Sequence, residues 1–299
     1  MDRALLVGIN AYPGAPLSGC VNDVTDMAAC LTKRCGFAPG AIRLLTDERA
    51  TTAAILDRLA WLLDGLKAGD RALFHYSGHG AQVALRNAAG AVYHMEDVIC
   101  PVDFDWSEER MIQGRQFHEG FLKVPPGVEF VWISDSCHSG ELERRLGFPN
   151  SLSRHSKFVA APADLAWRIT TARQQRLAPR TFIHAAEELN LALIAGCRSD
   201  QSAADASFDG RPNGALTHFL LQALNAPDGL NKPLTALVAG VRAALKHAHY
   251  DQEPQLAGST AVMKRGFLAL PLKRGRRPVG FPKNFRQTEH EVRPAAVNE

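Results

Sequence analysis

The alternation of short apolar runs with amphipathic segments limits this 299-residue chain to few folds. Ala4–Gly8 is an apolar run that ends in glycine, which is typical of a strand buried on both faces of a parallel sheet. Asp23–Cys35 carries apolar residues at helical spacing, and Asn22 or Asp23 could cap that helix. Strand and helix patterns keep alternating through the first half. This order predicts an α/β fold with a mostly parallel sheet that is covered by helices on both faces.

The same patterns set the bounds of the predicted elements, which include roughly six sheet strands. We predict strands at Ala4–Gly8, Ile42–Leu45, Arg71–Tyr76, Glu129–Ser134, Leu191–Gly196 and Gly266–Leu270, and a hairpin or short excursion at Val92–Cys100. We predict helices at Asp23–Cys35, from Thr51 or Thr52 to about Leu66, at Gly214–Asn225 and at Leu234–His249, with one helical piece at Pro162–Arg176.

The composition excludes several classes of protein. With 46% hydrophobic and 22% charged residues, the chain can bury a full core and is not disordered overall. No apolar run is long enough for a transmembrane helix, and the first apolar stretch is too short for a signal peptide. The six cysteines form no CxxC pair, so we expect reduced thiols in the cytoplasm.

Basic residues are concentrated in two segments, although the formal net charge is only +3. Arg144–Arg180 holds eight basic residues and one acid, and Lys264–Glu299 holds nine basic residues and three acids. Because neither is interleaved with aromatic residues, we expect no nucleic-acid partner. We divide the chain into a first half at 1–143, a basic linker at 144–188 that we read as a long surface connection, a second half at 189–272, and a flexible basic tail at 273–299, the two halves forming one domain.

Two predicted strands end in residues that carry chemistry. One leads into Tyr76–Gly80 (YSGHG) and the other into Asp135–Gly140 (DSCHSG). Ligands bind at the carboxyl ends of parallel strands, so His79 and Cys137 could face each other across one cleft. A lone cysteine there is usually a buried small hydrophobe, and a lone histidine is usually a loop residue. Together they form the pair that nucleophilic thiol chemistry requires, with the Gly80 and Cys137 amides as natural oxyanion donors.

Six motifs in order carry a resemblance to a known family. They are LSGCVND (Leu17–Asp23), YSGHG (Tyr76–Gly80), PVDF (Pro101–Phe104), DSCHSG (Asp135–Gly140), AGCRSDQ (Ala195–Gln201) and NGALT (Asn213–Thr217). With them the chain resembles the caspase-like cysteine peptidases, and among these the metacaspases and their prokaryotic relatives, the orthocaspases. The resemblance covers about residues 3–270. It implies a caspase-like α/β/α sandwich and an endopeptidase with a dyad of His79 and Cys137. It further implies a monomer that cleaves protein or peptide substrates after Arg or Lys at P1, the residue before the cleaved bond.

The resemblance also implies an acidic S1 pocket, the pocket that receives the P1 side chain. Asp23 and Asp135 match the acidic positions of the family, and Cys20 and Ser77 match the pocket wall. Two carboxylates can pair with a guanidinium through charge-assisted hydrogen bonds. A helix N-cap is the alternative role for Asp23, and both roles could hold at once.

The chain departs from the family where many metacaspases carry calcium-binding aspartates. By the resemblance, acids would be found at three positions where this chain has Gly114, Arg115 and Arg144. The acidic segment before the PVDF motif is also reduced, to Glu96 and Asp97. Calcium takes about six to eight oxygen ligands. An arginine in place of an aspartate removes a ligand and adds repulsion, so we predict no cofactor and activity without calcium.

The basic linker could simply be a solvated loop, but it also offers self-cleavage sites to an Arg-directed or Lys-directed peptidase. It could also occupy the acidic cleft before it is cut, which would make the chain autoinhibited. The candidate positions are Arg144, Arg145, Arg154, Lys157, Arg173, Arg176 and Arg180.

Three other hypotheses compete with this one. His75 and His79 are four residues apart, but on a strand-to-loop segment rather than a helix, so we expect no zinc site. A catalytically silent caspase-like module for binding or scaffolding is the alternative from another class, and the intact His79 and Cys137 argue against it. A caspase-like specificity for Asp at P1 is the third.

Overall fold

The computed structural model describes residues 1–138 and 154–269. Its strands are β1 Asp2–Gly8, β2 Ile42–Thr46, β3 Arg71–Ser77, β4 Gly80–Arg86, β5 Val92–Ile99, β6 Ile112–Gln113, β7 Glu129–Asp135, β8 Arg154–Ser156, β9 Pro179–Arg180, β10 Ala192–Ala195, β11 Ala204–Phe208, β12 Arg211–Gly214 and β13 Gln255–Gly258. Its α-helices are α1 Cys20–Lys33, α2 Thr52–Leu63, α3 Gly114–Phe121, α4 Ala163–Gln174, α5 Phe182–Ala186, α6 Ala215–Asn225, α7 Leu234–His247 and α8 Thr260–Met263.

Six strands form the central sheet, in the order β13-β10-β7-β3-β1-β2. All neighbours pair in parallel except β13, which is antiparallel to β10. This confirms the predicted mostly parallel, six-stranded α/β sheet. The predicted last strand is wrong, because the edge strand is β13 rather than Gly266–Leu270. Phe267 and Leu268 are buried beside the helices without strand pairing, and apolar runs alone cannot distinguish these two cases; Leu270 lies outside the described residues.

Side-chain alternation along the strands divides the core into two layers. Leu5 and Trp132 point to the face that α2, α3 and α5 cover, whereas Leu6 and Ile133 point to the face of α1, α6 and α7. Each fully buried large apolar side chain contributes about 1.5–3 kcal/mol relative to its exposed state. The two layers make the sheet a rigid support for the loops at its carboxyl edge.

The described part of the predicted linker is more ordered than a surface connection. It contains the predicted helix as α4, but also β8, β9 and α5, which were not predicted. β8 joins β11 and β12 in a small antiparallel sheet, and β9 pairs with β5 of the β4–β6 sheet. Strands of two or three residues are too short to leave a periodic signal. The predicted tail at 273–299 lies outside the described residues, and no helix within the described ranges is long and apolar enough to span a bilayer.

Candidate active site

The carboxyl ends of β3 and β7 bring the two chemistry-bearing motifs to one edge of the sheet. The strands pair in parallel over their whole length, with Ser77 opposite Asp135 at their ends. His79 follows Ser77 by two residues and Cys137 follows Asp135 by two residues. Both side chains therefore emerge from the same edge, which is where open parallel sheets bind ligands.

An ammonium group lies between the residues predicted to line the S1 pocket. Lys157 Nζ is 3.1 Å from Asp135 Oδ1, 3.3 Å from Asp23 Oδ2 and 2.9 Å from Ser77 Oγ. Cys20 is fully buried and close enough that its thiol influences the pKa of this ammonium. The structure thus brings the four pocket residues together around a lysine of the linker. The expectation that Lys157 is accessible on a surface connection is wrong, because its side chain is 0% exposed.

Burial and charge oppose each other in this cluster. Burial raises the pKa of Asp23 to about 6, with Lys157 opposing the rise and Asp135 adding to it. Burial also works against the charge of Lys157, but the attraction of the Asp135 and Asp23 carboxylates holds its pKa well above the ordinary value. Lys157 is therefore a cation at neutral pH. A buried charge group of this kind is stable only when its members remain paired and hydrogen-bonded.

The two carboxylates are oriented by the segment that begins at Asn213. Asp23 accepts hydrogen bonds from the Gly214 amide at 2.9 and 3.0 Å and from Asn213 Nδ2 at 3.0 Å. Asp135 Oδ2 accepts from the amide and the hydroxyl of Thr217, at 3.0 and 2.7 Å. A Cβ at position 214 would lie within 2.6 Å of both carboxylates and of the ammonium, so only glycine fits there.

The helix-cap alternative for Asp23 is wrong. Helix α1 begins at Cys20 with Gly19 as its N-cap, and no side chain caps it. Asp23 lies inside the first turn, fully buried and turned towards Gly214 and Ser77. Its carboxylate is therefore free of any capping task and serves the cluster alone.

The carbonyl of the same linker lysine lies between two backbone amides. Gly80 N–H donates to the Lys157 carbonyl oxygen at 2.9 Å, and Cys137 N–H donates to it at 3.2 Å. These are the two amides predicted to hold an oxyanion. A Cβ on Gly80 would lie 2.2 Å from the Cys137 carbonyl oxygen, so no side chain can enter between the two donors.

Residues 154–159 cross the cleft in an extended conformation. β8 pairs antiparallel with β11, the Lys157 amide donates to Ala203 O at 3.0 Å, and the Val159 amide donates to Gly80 O at 3.0 Å. The segment is therefore hydrogen-bonded on both sides of Lys157. An extended peptide that adds a strand to an exposed edge is a common mode of peptide recognition, with pockets for its side chains.

The His79 imidazole lies at the side of this segment. Its Nε2 is 2.7 Å from the Ala15 carbonyl oxygen, and its ring packs on Tyr12 with centroids 4.6 Å apart. Burial lowers the pKa of His79, although hydrogen bonding to the backbone of Ala15 and of Lys157 partly offsets this. The ring is therefore neutral near pH 7, which is the protonation state of a general base.

The Cys137 thiol is fully buried. Its Sγ accepts the Ala203 amide hydrogen and is 3.3 Å from Ser202 Oγ and 3.8 Å from Cys197 Sγ. The structure therefore places Cys197 in contact with the candidate nucleophile. Cys197 belongs to the AGCRSDQ motif, but nothing in its spacing indicated this contact.

The region where many metacaspases hold calcium contains arginine side chains and hydrogen-bonded backbone amides in this chain. Glu96 accepts the Arg115 amide hydrogen at the start of α3, and burial raises the pKa of Glu96 while Arg115 and Arg180 partly offset the rise. Arg115 Nε donates to Gln113 Oε1 at 2.8 Å. Among residues 1–138 and 154–269, no three His, Cys, Asp or Glu side chains are grouped to hold a metal ion. Arg144 lies outside the described residues.

The remaining self-cleavage candidates lie away from the pocket. Arg154, Arg173 and Arg176 are exposed and Arg180 is half-buried. Arg144 and Arg145 are outside the described residues. Of the candidates that the structure describes, Lys157 alone places its side chain between Asp23 and Asp135.

The carboxyl edge of the six-stranded sheet thus carries a thiol, an imidazole and two amides that converge on a peptide carbonyl. This arrangement agrees with the resemblance to caspase-like cysteine peptidases. The family model "Metacaspase, peptidase C14 domain" matches residues 2–143. Metacaspase-1 of Scheffersomyces stipitis is 29% identical over 86% of this chain and 70% of its own length, and Metacaspase-1B of Aspergillus oryzae is 29% identical over 86% and 67%. A crystal structure of a Geobacter sulfurreducens protein shares the fold, with a TM-score of 0.65, 24% identity, and coverage of 90% of this chain and 99% of that one. Residues 2–143 thus match the metacaspase peptidase domain, and the chain is similar to metacaspases, which are caspase-like cysteine peptidases, over most of its length.

Sequence reasoning missed three kinds of site residue. It gave no role to the segment from Asn213 to Thr217, although the NGALT motif marked it. It did not find the Ala15 carbonyl that holds His79, because a backbone contact leaves no residue-type signal. It also did not anticipate that Asp205 would fix the loop before α1 by accepting the amides of Ser18 and Gly19 at 2.7 and 2.9 Å.

Proposed function

We propose that the protein is an endopeptidase that hydrolyses peptide bonds after Lys or Arg, with Cys137 as nucleophile and His79 as general acid and base. One observation carries the proposal. Lys157 of the chain itself occupies the cleft as a P1 residue would, with its ammonium on Asp23 and Asp135 and its carbonyl oxygen on the amides of Gly80 and Cys137.

The reaction follows from the positions of these groups. His79 takes the Cys137 thiol proton, and Sγ attacks the P1 carbonyl carbon. The carbonyl oxygen becomes an oxyanion, which the amides of Gly80 and Cys137 stabilise. Collapse breaks the C–N bond, and His79 gives its proton to the leaving amine. Water, deprotonated by His79, then hydrolyses the thioester and restores the free thiol.

The basic specificity is supported by the charge of the pocket. Its floor holds Asp23 and Asp135 with Ser77, and all three are fully buried. A substrate cation can replace the Lys157 ammonium there and retain the charge-assisted hydrogen bonds. An aspartate at P1 would instead place a third carboxylate in a buried site that already holds two, which is strongly unfavourable.

Self-processing is supported by the same geometry. Because Lys157 lies in the cleft, the Lys157–Phe158 bond reaches the site without diffusion, and its effective concentration is far above that of any free substrate. The uncut segment also excludes other substrates, so the intact chain is autoinhibited. Incubation of wild type and Cys137→Ala checks this. We expect wild type to give a new N-terminus at Phe158 while Cys137→Ala stays intact, and equal fragmentation in both would contradict self-cleavage.

Calcium independence is supported by the surroundings of Glu96. Its carboxylate already accepts the Arg115 amide hydrogen, and the side chains of Arg115 and Arg180 supply positive charge nearby. A divalent cation would meet repulsion there. Processed enzyme should therefore cleave equally well in chelator and in millimolar calcium. Activity that appears only with calcium would contradict this part of the proposal.

An occupied cleft also suits the second candidate, a silent caspase-like module used for binding or scaffolding. A panel of fluorogenic peptides with Arg, Lys or Asp at P1 distinguishes the two, run with and without calcium. We expect turnover with Arg and Lys, little with Asp, and none in Cys137→Ala. No turnover of any peptide by wild type would favour the silent module, and preference for Asp would contradict the pocket assignment.

We also propose a monomer in a reducing cytoplasm. The family resemblance supports the monomer, and six free cysteines support the reducing compartment. Light scattering on the purified chain tests the first, and fractionation of cells that express it tests the second.

A further inference from the structure

The linker segment that fills the cleft also shows how residues before P1 are held. Lys157 fixes the register, because its side chain lies between Asp23 and Asp135 and its carbonyl lies between two amides. Counting back, Ser156 is P2, His155 is P3 and Arg154 is P4. β8 continues this alignment, since Ser156 pairs with Ala204 and Arg154 with Ala206.

Arg154 makes two specific contacts in this position. Its Nη1 donates a hydrogen bond to the His249 carbonyl oxygen at 3.1 Å. Its guanidinium carbon lies 4.1 Å from the centroid of the Tyr250 ring. Both contacts come from the segment that follows α7 and reach an otherwise exposed side chain. A cation above an aromatic face and a donor to a carbonyl are the interactions that suit a guanidinium.

The contact surface is held in place by the protein rather than by Arg154. His249 has a left-handed φ of 59°, and its amide and that of Tyr250 donate to the last turn of α7, at Lys246 O and Leu245 O. The His249 carbonyl thus lies at the helix C-terminus, where the helix dipole favours a cation. The Tyr250 ring is half-buried and packs near Phe208, with centroids 6.0 Å apart.

We propose that this surface, the His249 carbonyl and the Tyr250 ring, is a second subsite that selects arginine at P4. The proposal rests on the proposed peptidase function and extends it from P1 to an extended substrate with basic residues at P4 and P1. Lysine should bind less well than arginine, because it lacks the planar group that stacks on Tyr250 while donating to His249 O. Leucine should lack the hydrogen bond, and aspartate should be disfavoured at the negative end of α7.

Peptide kinetics test the subsite directly. Peptides X-His-Ser-Lys with a fluorogenic amide after Lys would carry Arg, citrulline, Leu or Asp at X. Citrulline retains the shape of arginine without its charge. With processed wild type we expect kcat/KM for X = Arg to exceed that for citrulline and for Leu by about three- to tenfold, the range of an exposed cation–π contact with one hydrogen bond. Equal rates for all four would overturn the inference.

Variants of the protein distinguish loss of the P4 subsite from a general loss of activity. In Tyr250→Leu the ratio of the Arg to the citrulline rate should fall towards one. Tyr93→Leu removes an exposed ring on β5 and should leave the ratio unchanged. A Tyr250→Leu ratio as large as in wild type would contradict the assignment. Should Tyr250→Leu fail to fold, the wild-type series decides alone.

The rate of self-cleavage gives a second test of the subsite. Arg154→Gln should slow self-cleavage after Lys157 by a similar three- to tenfold factor, whereas Arg173→Gln should leave it unchanged. Unchanged cleavage in Arg154→Gln would argue against P4 recognition. The two proposals fail differently: cleavage after Lys with no P4 preference overturns only the subsite, whereas no cleavage after Lys by wild type overturns the peptidase proposal and the subsite together.

Discussion

Lys157 and Arg173 belong to the same basic segment, yet their environments in the structure are opposite. Lys157 is fully buried between two carboxylates, and its backbone is hydrogen-bonded on both sides. Arg173 is exposed in the last turn of α4, at a helix end that favours a positive charge. Charge alone therefore does not decide which position a basic-specific peptidase can cut. An extended backbone across the cleft is also needed, and a residue within a helix cannot supply it.

The largest expected effect is on where the chain is cut. Lys157→Gln should abolish the cut at the 157–158 bond, because no cation remains to hold the segment in the pocket. Arg173→Gln should leave that cut unchanged. N-terminal sequencing and intact mass of purified chains would measure both. A cut after Arg173 in wild type, with the 157–158 bond intact, would reverse the interpretation.

The two positions should also differ in how much they contribute to the stability of the fold. In a Cys137→Ala background, Lys157→Gln leaves Asp23 and Asp135 facing each other in a buried site and should lower the free energy of unfolding at pH 8 by about 3 kcal/mol. Without the ammonium, the pKa of Asp23 should lie above the value of about 6 seen beside Lys157.

The sign of the pH dependence follows from that raised pKa. An aspartate whose folded pKa exceeds its unfolded pKa loses stability as pH rises between the two values. The deficit should therefore be smaller at pH 5 than at pH 8. Urea unfolding of Cys137→Ala with and without Lys157→Gln measures it, and Arg173→Gln serves as control. A deficit that grows on acidification would be inconsistent with repulsion between the carboxylates.

A smaller effect concerns substrate binding in the processed enzyme. Asp135→Asn removes one of two buried anions that face a P1 cation, and loss of such a partner costs about 2 kcal/mol or more. We expect kcat/KM for a P1-Lys peptide to fall at least about thirtyfold. Asp57→Asn, on the exposed face of α2, should have no effect. A loss that is equal for P1-Lys peptides and for peptides with an uncharged P1 would point to structural damage instead.

The smallest expected effect is the pH dependence of the same reaction. Once the Lys157 ammonium has left the pocket, the pKa of Asp23 should lie above the value of about 6 seen beside it, so acidification protonates Asp23 and weakens the negative charge of the pocket. KM for a P1-Lys peptide should therefore rise as pH falls from 7 to 5, by up to about tenfold per pH unit. In Asp23→Asn this rise should disappear, even though KM is higher throughout. A rise of the same size in Asp23→Asn would assign it to another group.

Strand ends and local motifs were predictable from sequence because they depend on short-range patterns. Apolar runs ending at Gly8 and Tyr76 marked β1 and β3, and Thr51 was among the two predicted caps of α2, where it accepts the Ala54 amide hydrogen. The edge strand β13 was missed, since Gln255–Gly258 is short and only moderately apolar. The apolar run Gly266–Leu270 gave the stronger signal, although its described part packs in the core without pairing.

Local patterns were enough to place His79 and Cys137 at one edge of a parallel sheet, since the strand runs and the flanking motifs can be read from neighbouring residues. The sequence also indicated an acidic pocket through the family resemblance. The occupant of that pocket could not be predicted, because it comes from a distant part of the chain. Lys157 is 134 residues from Asp23 along the chain. The ion pairs of Lys157 depend on the alignment of β8 with β11 and on the space that Gly214 leaves for the lysine side chain between the two carboxylates. Contacts between residues so far apart in the chain leave no pattern in the sequence around either of them.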